Sequence, residues 1–224
     1  MSGASDEMKT AFLRSISHEV RTPVAAISGF AHLFAEHGSQ LSPEQLTTIF
    51  QSVANSAAKL ERMFTEMSEL DRLSRGLVTA DRAPCDLLEL ARRVVDETDT
   101  DDHPVTVSGN NVGVDVDTPK VERIVHHLVL NAVRHTPPAT PIEVHIEDDA
   151  GSALIVVDDS GDGIPDDLKD SIFEPFLQGN PSAPGMGIGL SLVAKFAELH
   201  GGRAWVEDSA AGGARFMVLL APTP

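Results

Sequence analysis

Four short stretches of this chain combine residue types and spacings suited to nucleophilic and anion-binding chemistry. In Phe12-Leu-Arg-Ser-Ile-Ser-His-Glu-Val-Arg-Thr-Pro23, His18 stands next to Glu19 and one helical turn before Thr22. A neutral imidazole attacks phosphorus with one ring nitrogen while a neighbouring carboxylate takes the proton from the other, so His18 and Glu19 can act as nucleophile and base. A zinc site of the His-Glu-x-x-His kind is excluded because Thr22 stands where the second histidine is needed. Second, in His127-Leu-Val-Leu-Asn131-Ala-Val-Arg134-His135 the side chain of Asn131 shares a helical face with His127 and interrupts an otherwise apolar helix. Its amide oxygen suits Mg²⁺ carrying a nucleotide's phosphates.

Third, Val156-Val-Asp-Asp159-Ser-Gly161-Asp-Gly163 ends a strand. It reads either as a tight turn or as a site where Asp159 accepts a hydrogen bond from an adenine amino group and the glycines let backbone approach the ligand. Fourth, Gly185-Met-Gly187-Ile-Gly189-Leu190-Ser leads into a helix. No strand precedes it and its third glycine is misplaced for a dinucleotide fingerprint, and no Gly-Lys-Ser/Thr follows for a Walker loop. A glycine-rich helix entry still offers N–H groups and the helix dipole to an anion.

The elements that must position these residues fall into two groups. The first 75 or so residues lack strand-like alternation and predict two long helices, from about Asp6 to His37 and from Pro43 onward, separated by Gly38-Ser-Gln-Leu-Ser42. With Leu13, Ile16, Val20, Pro23, Ile27, Phe30 and Phe34 as heptad a and d positions, His18 falls at f and faces away from the partner helix. Pro23 predicts a kink just after His18. Leu46, Phe50, Val53, Ala57, Leu60, Phe64 and Met67 predict the seam of the second helix, and two helices alone cannot cover so much apolar stripe, so a dimeric four-helix bundle is expected. Beyond Arg75-Gly76, helices near Asp86–Thr98, Thr118–His135 and Ile188–His200 mix with strands near Val105–Ser108, Val112–Val116, Ile142–Glu147, Ala153–Asp158, Arg203–Glu207 and Arg215–Leu220. That pattern predicts an α/β sandwich with helices on one sheet face, and the Gly- and Pro-rich run from Asp159 to Gly187 predicts a mobile lid.

Bulk composition narrows the partners. Seventeen Lys and Arg against 34 Asp and Glu give a formal charge of −17, which repels nucleic acid and anionic lipid. No apolar run is long enough to span a bilayer, so no membrane contact is expected within the chain. The single cysteine, Cys85, rules out an intramolecular disulfide, and a cytoplasmic location is expected.

The four stretches, with Phe173-Glu-Pro-Phe176 between the third and fourth, resemble in order and spacing the boxes of sensor histidine kinases. The resemblance spans Phe12 to Leu190 and implies a multidomain α and α/β architecture. Residues 1–76 would form the dimerisation and phosphoacceptor domain, and residues 77–224 a Bergerat-type ATP-binding domain. It implies that His18 accepts the γ-phosphoryl of ATP, that Glu19 is its base, and that Thr22 orients water when the partner is dephosphorylated. Asn131 would hold Mg²⁺, with Arg134 near the phosphates and His135 against the base. Asp159, Gly161, Gly163, Phe176, Gly185, Gly187, Gly189 and Leu190 would complete the nucleotide site. The implied partners are a second copy of the chain and a response regulator whose aspartate takes the phosphoryl group. The chain departs from the family where His127 replaces a usual Asn, where Met186 replaces a usual Thr, and where no Lys or Arg lies between Asp170 and Ala194. Two alternatives remain open: another ATPase of the same superfamily, and a dimeric scaffold or phosphatase-dominant nucleotide-binding module.

Overall fold

The computed structural model describes residues 2–149, 151–177 and 186–222, with side chains at 17 and from 19 onward. The chain divides into two compact units, an N-terminal helical hairpin and a C-terminal α/β unit.

In the hairpin, α1 (Ser2–His37) runs as one helix through Pro23, which is buried. After a 3₁₀ turn at Gly38–Gln40, α2 (Pro43–Ser74) opens with a reciprocal cap. The Ser42 hydroxyl accepts the Gln45 N–H at 3.2 Å and Gln45 Oε1 accepts the Ser42 N–H at 2.9 Å. The helix stops where Gly76 turns to φ +66° and its N–H reaches the Leu73 carbonyl.

Within one hairpin only part of the expected α2 seam is buried. Ile49, Met63 and Leu70 are its buried residues, bordered by the half-buried Leu46, Val53, Leu60 and Met67. Phe50 and Phe64, expected in that seam, are 58% and 62% exposed, and Ala57 is exposed with them. Successive helical residues are rotated by about 100°, so Ile49 and Phe50 begin two adjacent apolar stripes, and the fold buries the first within the hairpin. Across the hairpin, Lys59 Nζ pairs with Glu19 Oε2 at 3.1 Å, and the Phe34 and Phe50 rings sit 6.0 Å apart.

The second unit is built on a five-stranded mixed sheet ordered β2 (Val105–Gly109), β4 (Ile142–Asp149), β5 (Ser152–Asp158), β7 (Ala214–Leu220), β6 (Arg203–Asp208), with β2 parallel to β4 and the other pairs antiparallel. A separate ribbon pairs β1 (Ala83–Asp86) with β3 (Gly113–Val116). The sequence pattern places β3 but misses β1, a four-residue strand containing Pro84. Alternation puts Ile142, Val144 and Ile146 of β4 on one sheet face with Ile155 and Val157 of β5 and Phe216, Val218 and Leu220 of β7, none more than 1% exposed. Three helices bring the other half of this core: α3 (Leu87–Glu97) with Leu87, Leu90 and Ala91, α4 (Thr118–His135) with Ile124, Val125 and Leu128, and α6 (Gly189–Leu199) with Leu192, Val193 and Phe196. The short α5 (Asp166–Lys169) occupies part of the expected lid, where Lys169 pairs with Asp166 at 2.6 Å and Asp208 at 2.7 Å.

A buried histidine fixes α4 against α6. His200 is fully buried, its Nδ1–H donates to the Phe196 carbonyl at 2.7 Å, and its Nε2 accepts the Asp117 N–H at 3.0 Å. Asp117 is in turn the N-cap of α4 and accepts the Asp81 N–H at 2.9 Å. The end of α6 and the start of α4 therefore share one hydrogen-bonded joint, which sets the two helices that carry site residues.

Candidate functional site

The loop after β5 folds around the carboxylate of Asp159, which is 4% exposed. Its Oδ1 accepts two backbone N–H groups, from Gly161 at 2.9 Å and Ala214 at 3.0 Å, and its own N–H donates to the Ala214 carbonyl at 2.9 Å. That clamp spends one oxygen on the fold and leaves Oδ2 without a partner among the described residues. The clamp needs glycine twice. A Cβ on Gly161 would lie 2.8 Å from the His135 carbonyl oxygen, and one on Gly213 would overlap the carbonyl and carboxylate oxygens of Asp159. Gly163 turns the loop at φ +71°.

The second cluster sits at the start of α6. Gly187 adopts φ +67°, a Cβ there would lie 2.5 Å from the Leu177 carbonyl oxygen, and its own carbonyl accepts the Phe176 N–H at 2.9 Å. Phe176 itself takes φ +71°, a left-handed conformation disfavoured for an aromatic residue. At Gly189, the first residue of α6, a Cβ would lie 3.3 Å from His127 Nδ1, so the imidazole packs on that helix entry. No side chain caps α6, which leaves the first N–H groups of Gly189, Leu190 and Ser191 to a ligand.

Helix α4 connects the two clusters. His127, Asn131 and His135 stand four residues apart and share one face; the first touches the α6 entry, and the carbonyl of the last borders Gly161. Eight residues of helix cover about 12 Å, a span that matches a nucleotide lying from base to phosphates. Asn131, midway, makes no hydrogen bond to any described residue, while Arg134 and His135 are exposed in the last turn. The imidazole of His127 is driven down to a pKa of about 3, first by burial and then by the charges of Arg123, His126 and Arg134. It is neutral at any physiological pH, and its buried Nε2 has no hydrogen-bond partner. Orphaned donor and acceptor atoms on α4, an open carboxylate oxygen and glycine-lined backbone fit a nucleotide with its cation.

The remaining site residues fall elsewhere. His18 lies on α1, but its side chain is outside the described residues, as is the whole of Gly185. Thr22 is exposed on the same helix, and the Glu19 carboxylate is engaged by Lys59, a partner the sequence pattern does not flag. Gly213 also escapes a reading by motif, since its role depends on meeting Asp159 from a distant strand. A groove of about 820 Å³ along Pro84–Asp86 and Gly113–Asp115 holds none of the motif residues. Burial pushes the Cys85 thiol there up, away from the reactive thiolate.

This fold and this arrangement define a Bergerat-like ATPase module joined to a phosphoacceptor hairpin. The family described as histidine kinase-, DNA gyrase B-, and HSP90-like ATPase matches residues 116–224, and the His Kinase A (phospho-acceptor) domain matches residues 8–76. The chain belongs to the sensor histidine kinases, of which it carries the catalytic core. It is 29% identical over 230 residues to the alginate biosynthesis sensor protein KinB of Pseudomonas aeruginosa, covering 97% of this chain and 38% of that protein. It is 34% identical over 227 residues to the sensor histidine kinase TmoS of Ectopseudomonas mendocina, covering 96% of this chain and 23% of that one. The chain thus spans less than half the length of these relatives. The crystal structure of the histidine kinase ThkA in complex with the response regulator protein TrrA superposes with a TM-score of 0.68 at 27% identity, covering 93% of this chain and 60% of that one. Among the described residues no helix is long and apolar enough to cross a membrane.

Proposed function

We propose that this chain transfers the γ-phosphoryl group of ATP to His18 and passes it on to an aspartate of a response regulator. One observation carries the reading: a single polypeptide joins a hairpin bearing His18-Glu19-x-x-Thr22-Pro23 to an ATPase module whose Asp159 is clamped through one oxygen and open at the other. Residues 1–76 serve as the dimerisation and phosphotransfer domain and residues 77–224 as the ATP-binding domain. Asp159 Oδ2 accepts the adenine amino group while Gly161 and Gly163 bring backbone up to the base, with His135 against it. Asn131 holds the divalent cation, taken as Mg²⁺, which neutralises phosphate charge. Arg134 and the N–H groups at Gly187, Gly189 and Leu190 hold the phosphates, and Gly185 and Phe176 complete the nucleotide site.

In the transfer, a ring nitrogen of His18 forms a bond to the γ-phosphorus as the bond to the β,γ-bridging oxygen breaks and ADP leaves. The proton on the other ring nitrogen passes toward Glu19, whose orientation Lys59 fixes. Thr22 orients water for the reverse task of clearing phosphoaspartate on the regulator. The exposed Phe50 and Phe64 stripe, with Phe34, is the face that meets a second copy in a dimeric four-helix bundle. The core works in the cytoplasm.

The test is incubation of the chain with labelled Mg·ATP. Acid-labile, alkali-stable label that is lost in His18→Gln with unchanged nucleotide affinity is the expected result. Label absent despite measurable ATP binding overturns the kinase reading in favour of a scaffold or phosphatase. Unchanged Mg·ATP affinity in Asn131→Asp removes Asn131 from the metal site.

A further inference from the structure

The five-stranded sheet has two edges, and they are finished differently. Strand β2 starts directly after Pro104 and stops at Gly109 with φ +123°, and a proline and a short length are devices that blunt an edge. Strand β6 has neither proline nor bulge and, among the described residues, hydrogen-bonds to β7 alone. The short α5 reaches its last residue, where Lys169 pairs with Asp208 at 2.7 Å. The Ser209 N–H donates to the Gly213 carbonyl at 2.8 Å, and the Asp159 N–H to the Ala214 carbonyl at 2.9 Å. Alternation from these bonds turns the N–H and C=O groups of Arg203, Trp205 and Glu207 towards β7 and leaves those of Ala204 and Val206 on the open edge. The side chains of Arg203, Trp205 and Glu207 share the sheet face away from the helices. The Arg203 guanidinium lies 4.6 Å from the Trp205 ring centroid, and the indole N–H donates to Glu207 Oε1 at 2.9 Å. The ring is thus held from both sides before any partner arrives.

We propose that β6 pairs antiparallel with β6 of a second copy, about a two-fold axis through Trp205, and joins two ATPase modules edge to edge. The strand is complementary to itself in that register. Reversed about Trp205, Arg203 stands opposite Glu207 of the second copy, twice by symmetry, and Ala204 stands opposite Val206. A slip of two residues sets Trp205 against Arg203 or Glu207 and loses both ion pairs. The open N–H and C=O groups of Ala204 and Val206 supply the hydrogen bonds between the copies. Arg203, Trp205 and Glu207 then fall at non-hydrogen-bonded positions, where opposite Cα atoms approach to about 4.5 Å and side chains meet most closely. Five residues of strand bury less than the roughly 1,200–2,000 Å² of a stable interface, so the contact is weak and forms only where copies are concentrated. It is distinct from the Phe50 and Phe64 stripe, which belongs to the other unit of the chain.

Disulfide trapping in the full chain tests the register. In a Cys85→Ser background, which removes the one native cysteine, Arg203→Cys and Glu207→Cys in the same chain bring the new thiols together across the proposed pair. Either change alone leaves the two like thiols about 14 Å apart, four residues along the strand. The expected result under mild oxidation is linked chains from the double variant, forming at least about tenfold faster than from either single variant. Equal rates overturn the proposal, as does failure of the double variant to link. Charge reversal supplies a measure independent of thiols. In sedimentation velocity over rising concentration, Arg203→Glu should weaken self-association of the modules about tenfold, and adding Glu207→Arg should restore it. Restoration by the second reversal separates a lost ion pair from a damaged fold. Association that ignores the first reversal, or that the second does not restore, overturns the pairing and reduces Trp205 to a non-specific contact.

Discussion

In the α1–α2 hairpin Phe34, Phe50 and Phe64 are 49%, 58% and 62% exposed, whereas Phe196 and Phe216 of the ATPase module are 0% and 1% exposed. Similar side chains thus have opposite fates in two parts of one chain. The module closes its core on itself, with three helices covering one face of a five-stranded sheet. The hairpin buries only one of its two apolar stripes, and the second runs along the outside of α2 at seven-residue spacing through Phe50, Ala57 and Phe64. Such a stripe on a long helix suits an interface with a symmetric copy, as proposed above.

The largest expected effect breaks that comparison on the hairpin side. Burying a phenylalanine is worth about 1.5–3 kcal/mol, and a two-fold dimer uses each residue twice. Phe50→Glu with Phe64→Glu should therefore weaken dimerisation at least about 100-fold. Analytical ultracentrifugation would show a monomer at concentrations where the wild type is dimeric. Fluorescence of Trp205, which lies in the ATPase module, should not change. A variant that stays dimeric shows that the exposed stripe is not the interface.

A smaller effect, on the module side, is a pH dependence that the hairpin lacks. Burial pushes the imidazoles of His127 and His200 below their ordinary value of 6.5, that of His127 to about 3. The unfolded chain therefore takes up these protons first, so their contribution is complete above about pH 6.5 and is lost as the pH falls toward 3. Desolvation raises the Asp117 carboxyl, but Lys120 and the Asp81 N–H outweigh it and hold it below 3.8, so its contribution begins to fail only under more acidic conditions. The linked loss reaches a few kcal/mol, about 1.4 kcal/mol for each tenfold change in proton affinity. Urea unfolding followed by Trp205 should show a midpoint that drops steadily from about pH 7 to about pH 5. The hairpin has no buried histidine among its described residues, and its helicity should not follow that drop. A module midpoint flat across the same range contradicts a neutral, buried His127.

The same contrast explains what the sequence made legible. Local signals transferred well: the Ser42 cap with Pro43, the Gly76 stop, the long α4, the alternating strand β4 and the continuously apolar strand β5 all lie close to where their residues predict. The boxes that place Asp159, Gly161 and Gly163 also fall together, because a loop of five residues holds its own geometry. Partners distant in sequence were not legible. Gly213 meets Asp159 only because β5 and β7 are neighbours, and Lys59 meets Glu19 only because the hairpin folds back. The division of the α2 seam between the hairpin interior and its outer face has the same origin. Ile49 and Phe50 are both apolar, and choosing which one faces α1 needs the phase of the other helix. The strand β1 was hidden because four residues with a proline carry no alternation to read.

The smallest effect concerns Lys59, where stability and chemistry should part company. Its pair with Glu19 joins a side chain 41% exposed to one 15% exposed, across the two helices of the hairpin. Exposed and half-exposed ion pairs are worth about 0–1 kcal/mol, so Lys59→Met should lower the hairpin's stability only slightly. The methionine keeps most of the apolar stem, which guards against a packing loss mistaken for a charge effect. Glu19, however, would lose the contact that fixes its orientation beside His18. Phosphorylation of His18 should then slow by about tenfold at saturating ATP, with nucleotide affinity in the module unchanged, since removing a positioning contact acts on kcat rather than on binding. Single-turnover labelling at several pH values separates the two roles. A rate deficit that narrows as the pH rises identifies Lys59 as the residue that holds the proton acceptor in place, because solvent base then replaces the misaligned carboxylate. A rate equal to wild type, with the same small stability loss, reduces the pair to an ordinary surface contact.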